Sequence, residues 1–363
     1  MKNKIVISGY YGFKNLGDEA ILAGIIHSLR KVNKNLDITV LSQDPCFTEK
    51  NFAVKAVQRN NYKKILKVIF DNDLFISGGG SLLQNITGWK SIPYYLGLTL
   101  AAQIMGKKTA FYAQGIGPIK GLKWRKILKW VANKTDVITV RDENSFNLLK
   151  KSGVNIENMK ITTDPVFSLQ NKNFKLFSEF QFLSKYDNII GVSVRPWANN
   201  DYLSILAEEV NSFAEKINAF ILIIPFHFLE DFEISKRFKS KLTVPAKVLS
   251  SYYDPKKILS IYKKMDILVG VRLHSIIFSV LQYIPFIPIS YDPKVDSFLH
   301  SFNLMKPLAI NNFENIKFRK NLEQIWNTRD DFYNKDIKTK IKNNKNIALQ
   351  NAEMIVQLLE NER

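Results

Sequence analysis

The chain has 363 residues, 46% of them hydrophobic and 12% aromatic, enough for two cores of ordinary size and too apolar for a disordered protein. One cysteine, Cys46, excludes an intramolecular disulfide and a cysteine-based zinc site, no apolar run reaches the ~18 residues that span a bilayer, and Met1–Val6 lacks a signal-peptide core, so a cytoplasmic protein is expected. The net charge of +19 is concentrated in residues 1–150, where 23 Lys/Arg stand against 10 Asp/Glu; it would draw acidic lipid, phosphorylated substrates or nucleic acid, but no nucleic-acid-binding signature accompanies it.

In chain order, Lys4–Ser8 reads as a first strand, followed by a glycine-punctuated loop from Gly9 to Asp18. A helix is expected to start near Asp18 as N-cap and to run AILAGIIHSLRK. Strand, glycine-rich turn and helix form the layout of an anion or sugar cradle, without the G-x-G-x-x-G of a dinucleotide site. Asp18 either caps the helix or joins Glu19 in binding or deprotonating a sugar hydroxyl. Strands follow at Leu36–Ser42, near Phe52–Val57 and at Asp73–Ser77, the last ending in Gly78, Gly79 and Gly80. Three glycines there permit close approach of a ligand or of backbone, or make a tight turn.

Ile92–Met105 reads as a helix apolar nearly all round and packed inside. Thr109–Gln114 is a strand, and Val137–Val140 is the last strand of this half, delivering Arg141 at its carboxyl end. Asp142 and Glu143 open the helix ENSFNLLKKSG, with Gly153 just past its end. Arg141 either faces a ligand or pairs with Asp142 or Glu143. The segments are residues 1–170 for an N-terminal Rossmann-like domain, 171–187 for a linker, 188–318 for a second such domain, and 319–363 for helices packing back across both. The fold class is α/β, two Rossmann-like domains facing across a cleft.

The second domain alternates strand Asn188–Val194, helix Asp201–Ile217, strand Phe220–Pro225 and helices near Leu229–Lys239 and Pro255–Lys264. Arg195 and His227 fall at strand ends. Ile267–Val271 is a buried strand. Leu273, Ile276, Ile277, Val280 and Leu281 then keep helical spacing until Pro285, and Phe286–Ser290 completes a βαβ unit. Ligands of such sheets bind beyond the carboxyl ends of the strands. Arg272 and His274 sit there at a helix N-terminus, and Lys294 follows at the end of the next strand. The cluster fits a small, multiply charged acid; the plainer alternative is a packed histidine and two solvated cations.

Gly9-Tyr-Tyr-Gly12 with Gly17-Asp18-Glu19-Ala20, Ser77-Gly-Gly-Gly80, Gln114-Gly-Ile-Gly-Pro118, Arg141-Asp142-Glu143-x-Ser145, Thr163-Asp164-Pro165, Arg195-Pro196-Trp197 and Arg272-Leu273-His274-Ser275 occur in that order. The ordered set resembles the polysaccharide pyruvyl transferases, most closely the bacterial cell-wall (CsaB-type) branch. The resemblance implies a glycosyltransferase-B-like fold and transfer of a pyruvyl group from phosphoenolpyruvate to a sugar as a ketal, with release of phosphate. In that branch the acceptor is a lipid-pyrophosphate-linked disaccharide ending in N-acetylmannosamine, and the ketal spans O4 and O6. It places the donor on Arg141, Arg272, His274 and Lys294, with catalysis at His274 and Arg272, while the residues left for the acceptor are Asp18, Glu19, Gly78, Gly79, Gly80 and Arg195. Phosphoenolpyruvate is a co-substrate; no cofactor and no metal are expected.

Gly121–Lys134 (GLKWRKILKWVANK) carries Trp124, Ile127, Leu128 and Val131 at helical spacing among five cations. It is expected either to lie against an anionic membrane at the inner face of the plasma membrane or to pack on its own sheet. A nucleotide-sugar glycosyltransferase of the same fold and a non-catalytic glycan-binding protein are the rival functions.

Overall fold

A computed structural model of the chain describes residues 3–86, 88, 90–169 and 175–360. By contact the chain divides into two units: residues 1–13, 18–169 and 343–363, and residues 14–17 and 170–342. The expected linker 171–187 lies partly outside the described residues. Within its described part, residues 175–187, Ser178–Lys185 is a 3-10 helix with Phe180 and Leu183 buried.

The N-terminal unit runs β1 (Lys4–Ser8), α1 (Leu16–Val32), β2 (Asp37–Ser42), α2 (Pro45–Phe52), β3 (Lys55–Gln58), α3 (Tyr62–Phe70), β4 (Leu74–Ser77), β5 (Gly80–Leu83), α4 (Ser91–Ile104), β6 (Lys108–Ile116), α5 (Leu122–Ala132), β7 (Val137–Val140), α6 (Glu143–Lys151) and β8 (Met159–Ile161). The strands form an eight-stranded parallel sheet in the order β3-β2-β1-β4-β6-β7-β8, with β5 pairing to β6. Its strands are buried runs such as IVIS, LFIS and ITV, as a sheet covered on both faces requires.

The second unit contains β9 (Asn188–Ser193), α7 (Tyr202–Lys216), β10 (Ala219–Ile223), α8 (Phe228–Lys239), β11 (Ala246–Val248), α9 (Pro255–Tyr262), β12 (Ile267–Gly270), α10 (Leu273–Gln282), β13 (Phe286–Ser290), α11 (Pro293–Ser301), β14 (Leu308–Ala309) and α12 (Asn315–Asn327). Its six strands pair in parallel in the order β11-β10-β9-β12-β13-β14. The last helix, α13 (Lys335–Glu360), gives its first part to this unit and residues 343–360 to the first.

Several local expectations are corrected. Helix α1 begins at Leu16, so Asp18 stands in its first turn and is not the cap; Asn15 Oδ1 accepts the Gly17 N–H at 3.1 Å. Phe52 ends a helix and does not open a strand. Strand β8 follows β7, so Val137–Val140 is not the last strand of its half. Helix α10 ends at Gln282, before Pro285, because Tyr283 adopts a left-handed conformation at φ 58° that terminates it.

Candidate functional site

Every strand of a parallel sheet ends on the same edge, so each unit gathers its strand-end residues there. In the N-terminal unit Arg141 leaves β7 with a side chain only 8% exposed. Its guanidinium donates to Asp164 (3.3 Å) and Ser81 Oγ (3.0 Å) and lies 3.6 Å from Asp142. Gly115 makes room for it: a Cβ there would come within 2.9 Å of the guanidinium nitrogens. Asp142 caps α6, accepting from the Ser145 N–H and hydroxyl at 2.7 Å each, and Ser145 Oγ accepts from Ile116 N at 2.8 Å. The Arg-Asp-Glu-x-Ser run therefore ties β6, β7 and α6 together and aims one cation at the edge.

The glycine-rich loop is held by Glu19, fully buried, whose Oε1 accepts the Gly12 N–H at 2.8 Å. Gly12 (φ 80°) leaves no room for a side chain, since its Cβ would stand 2.2 Å from Ser42 Oγ. Gly78, Gly79 and Gly80 pack against the neighbouring helix and loop. Their absent Cβ positions meet the Tyr11 hydroxyl (2.3 Å), Ile21 (2.8 Å) and Asp18 Oδ1 (3.2 Å). Asp18, half-buried, is thus brought beside the glycine triplet, while Glu19 is spent on loop geometry.

In the second unit β9, β12 and β13 are neighbours, so their carboxyl ends set Arg195, the Arg272–His274 turn and Lys294 along one stretch of edge. Arg272 is the N-cap residue of α10 and is clamped by Asp231 through its Nε (2.9 Å) and Nη2, and by Glu230 at 3.1 Å. Asp231 is completely buried and also accepts the His227 N–H at 2.8 Å. Burial opposes the charge on Arg272, but the Asp231 carboxylate overcomes it and raises the guanidinium pKa. His274 lies in the first turn of α10, half-buried, with its ring against the backbone of Gly17, where a Cβ would stand 2.4 Å from Nδ1. Arg195 lies over the Tyr291 ring at 3.9 Å and the Trp197 ring at 5.4 Å. Lys294 occupies the first turn of α11, 3.9 Å from Asp292, whose side chain caps that helix.

A cavity of about 490 Å³ opens between the loops after β9 and β14, lined by Trp197, Tyr202, Asn311 and Phe313 and by the acids Asp201 and Glu314, with no Lys or Arg. Trp197 Nε1 donates to Asn311 Oδ1 at 2.6 Å. Rings, amides and two carboxylates with no cation disfavour an anion and can accept from the hydroxyls of a neutral ligand.

Sequence reasoning missed Asp231 and Glu230, which look like ordinary acids of a first helical turn. It also missed Arg59 after β3. Its guanidinium lies over Tyr94 (4.6 Å), Phe13 (5.1 Å) and Tyr95 (5.8 Å) and donates to Gly9 O at 3.3 Å, with no carboxylate partner among the described residues. A cation directly after a strand was the available signal.

The buried network has a pH signature. Burial holds the His227 imidazole below its ordinary 6.5; Arg272 pushes the same way, while Glu230 and Asp231 oppose. A base that is harder to protonate folded than unfolded leaves stability intact above 6.5 and erodes it as the pH falls from there through the lower folded value. Glu230 adds to this: burial raises its carboxyl, but His227 and Arg272 together bring it below 4.5, so its contribution is lost in acid as well. The urea midpoint should therefore drop between about pH 7 and about pH 5, and less steeply in His227→Gln. Parallel pH profiles for the two proteins would refute this.

Two parallel sheets of Rossmann type, each with its charged or glycine-rich strand ends on one edge, define a protein of the glycosyltransferase-B-like fold. It resembles the structure of Anabaena Alr3699/HepE in complex with UDP-glucose (TM-score 0.61, 12% identity, 99% of each chain) and that of UDP-GlcNAc 2-epimerase from Methanocaldococcus jannaschii (TM-score 0.67, 14% identity, 99% of each chain). The sequence profile of the polysaccharide pyruvyl transferases matches residues 15–293, and the chain belongs to that family. A relative, the amylovoran biosynthesis protein AmsJ of Erwinia amylovora, is 22% identical over 85% of this chain and 86% of its own. The protein is accordingly a pyruvyl-transferring enzyme of polysaccharide biosynthesis.

Proposed function

We propose that the enzyme transfers the pyruvyl group of phosphoenolpyruvate to a lipid-linked cell-wall precursor, forming a 4,6-ketal on N-acetylmannosamine and releasing phosphate. The observation that carries this reading is the row Arg195, Arg272, His274 and Lys294 on the carboxyl ends of adjacent strands in a family member. In the proposed reaction C3 of phosphoenolpyruvate gains a proton, a sugar hydroxyl oxygen adds to C2, the C2–O bond to phosphate breaks, and the second hydroxyl oxygen closes the ketal. One hydroxyl proton balances the new C3–H bond and the other leaves with phosphate. His274 is assigned the proton transfers, a role a side chain placed at the strand end can fill. Arg272, held by Asp231 and Glu230, fixes the turn that carries His274 and is assigned to the donor side with it. Asp18, with Gly78–Gly80, and Arg195 are assigned to the acceptor; Glu19 supports them by shaping the loop.

Arg141 and Lys294 are assigned to the donor's carboxylate and phosphate, where a planar fork and a point charge suit the two groups. Arg141→Lys and Lys294→Ala should each weaken phosphoenolpyruvate binding by about tenfold or more, in keeping with a lost charged hydrogen bond. Undiminished affinity of both variants in calorimetric titration would refute the assignment.

The whole reading is tested by incubating the protein with phosphoenolpyruvate and a lipid-linked disaccharide. Phosphate release with a product heavier by one pyruvyl ketal is expected; no product would overturn it. A glycosyltransferase using a nucleotide sugar draws on shared fold alone, and titration with UDP-glucose tests it.

Work on a lipid-linked acceptor belongs at a membrane surface. No helix among the described residues is long and apolar enough to cross a membrane, so peripheral contact is proposed. In α5, Leu128 and Val131 are buried, and Trp124 and Ile127 pack on the same cluster, while Leu122 and Trp130 face outward among Lys123, Arg125, Lys126 and Lys129.

A further inference from the structure

Helix α3 is divided between two faces. Ile65 and Ile69 are buried and, with Val68, cluster with Leu98 and Ala102 of α4 and with Met105 beyond it. On the flank these leave, Tyr62, Leu66 and Phe70 recur every fourth residue and are 60%, 42% and 64% exposed. Large apolar groups aligned over two turns in water mark an interaction surface. Lys63, Lys64 and Lys67 are exposed on the same helix, and Lys107 Nζ stands 5.2 Å from the centre of the Phe70 ring. Helices α3, α4 and α5 are successive neighbours in one layer and contain no Asp or Glu within their spans, the nearest acid being the exposed Asp71 that caps the end of α3.

We propose that α3 is the element that docks the protein on an anionic lipid surface, with Tyr62, Leu66 and Phe70 entering the headgroup region. The inference rests on the peripheral-membrane reading and narrows it to one helix. A helical layer with lysines and a single acid at its end complements anionic headgroups, and each lysine near such a surface contributes roughly fivefold to affinity. The apolar stripe supplies the burial that holds an amphipathic helix in the interface. A second copy of the chain fits this face poorly, because docking like on like would bring two sets of lysines together.

The test is sedimentation with phosphatidylglycerol–phosphatidylcholine vesicles and with pure phosphatidylcholine vesicles. Wild type should bind the anionic vesicles and release them at high salt. The triple variant Tyr62→Ser, Leu66→Ser, Phe70→Ser should bind at least about tenfold more weakly, with unchanged circular dichroism and unchanged turnover of phosphoenolpyruvate on a water-soluble acceptor. The α5 variant Leu122→Ser, Trp130→Ser should lose less. Wild-type binding with an unaltered triple variant overturns the assignment to α3 while leaving membrane contact standing, and no wild-type binding overturns both. A concentration-dependent dimer that the triple variant abolishes would assign the stripe to self-association and also overturn it.

Discussion

Replacing His274 with alanine is expected to slow pyruvyl transfer by about 10²–10⁴-fold while leaving the protein folded. The imidazole stands in the first turn of α10, directly after β12, where the backbone N–H groups of the helix start favour an anion. It is half-buried, so removing it opens a modest space and does not excavate the core. Its neighbour Gly17 explains why the Gly17-Asp18-Glu19 run begins with glycine: any side chain there would occupy the ring's place. The expected deficit is in kcat at saturating phosphoenolpyruvate, because the lost group is the one proposed to handle protons in the transition state. His274→Ala within a few-fold of wild type, with an unchanged melting curve, would remove it from the chemistry.

The largest stability effect is expected at Asp231. Asp231→Ala should cost about 3–5 kcal/mol, since breaking a buried ion pair leaves the other charge uncompensated. Arg272 would keep only Glu230, which is mostly exposed and makes a single contact at 3.1 Å. The His227 N–H would lose its acceptor in the same step. Asp231→Asn preserves the shape and should fall between alanine and wild type. Urea unfolding measures the loss, and a cost below about 1 kcal/mol would show that the pair is solvated in effect. Activity should fall along with stability in this variant, because Arg272 anchors the turn that presents His274.

How much of this was readable beforehand depended on the range of the interaction. The β12–α10–β13 unit was legible because its apolar spacing changes from strand to helix and back within one stretch. The start of α6 at Asp142 and Glu143 was legible because helix-start signals are local, and the structure adds that Asp142 is its cap. The Asp231–Arg272 clamp joins residues 41 apart, and nothing near either one announces the other. Lys294 was placed correctly after β13, yet helix α11 went unseen; Pro293 reads as a breaker but serves as its first residue, with Asp292 capping. Helix α3 escaped notice because lysines dilute its hydropathy, although Ile65 and Ile69 keep the spacing of a packed face. The glycine triplet left a close approach and a tight turn both open, and only the fold shows that Tyr11, Ile21 and Asp18 come close to it.

Helix α13 has a bearing on how the chain comes off the ribosome. Thr162 Oγ1 and Asn351 Oδ1 lie 2.9 Å apart, both buried, and Ala348, Ala352, Ile355 and Val356 are buried as well. These late residues are counted with the first unit, whereas residues 170–342 are complete before them. Domains usually fold in the order in which they are made. Here the unit that is synthesised first is completed by residues made after 170–342, so the second unit can reach its native packing earlier. A nascent first unit therefore leaves the face that buries Ala348, Asn351 and Ala352 uncovered until residues 170–342 have been made.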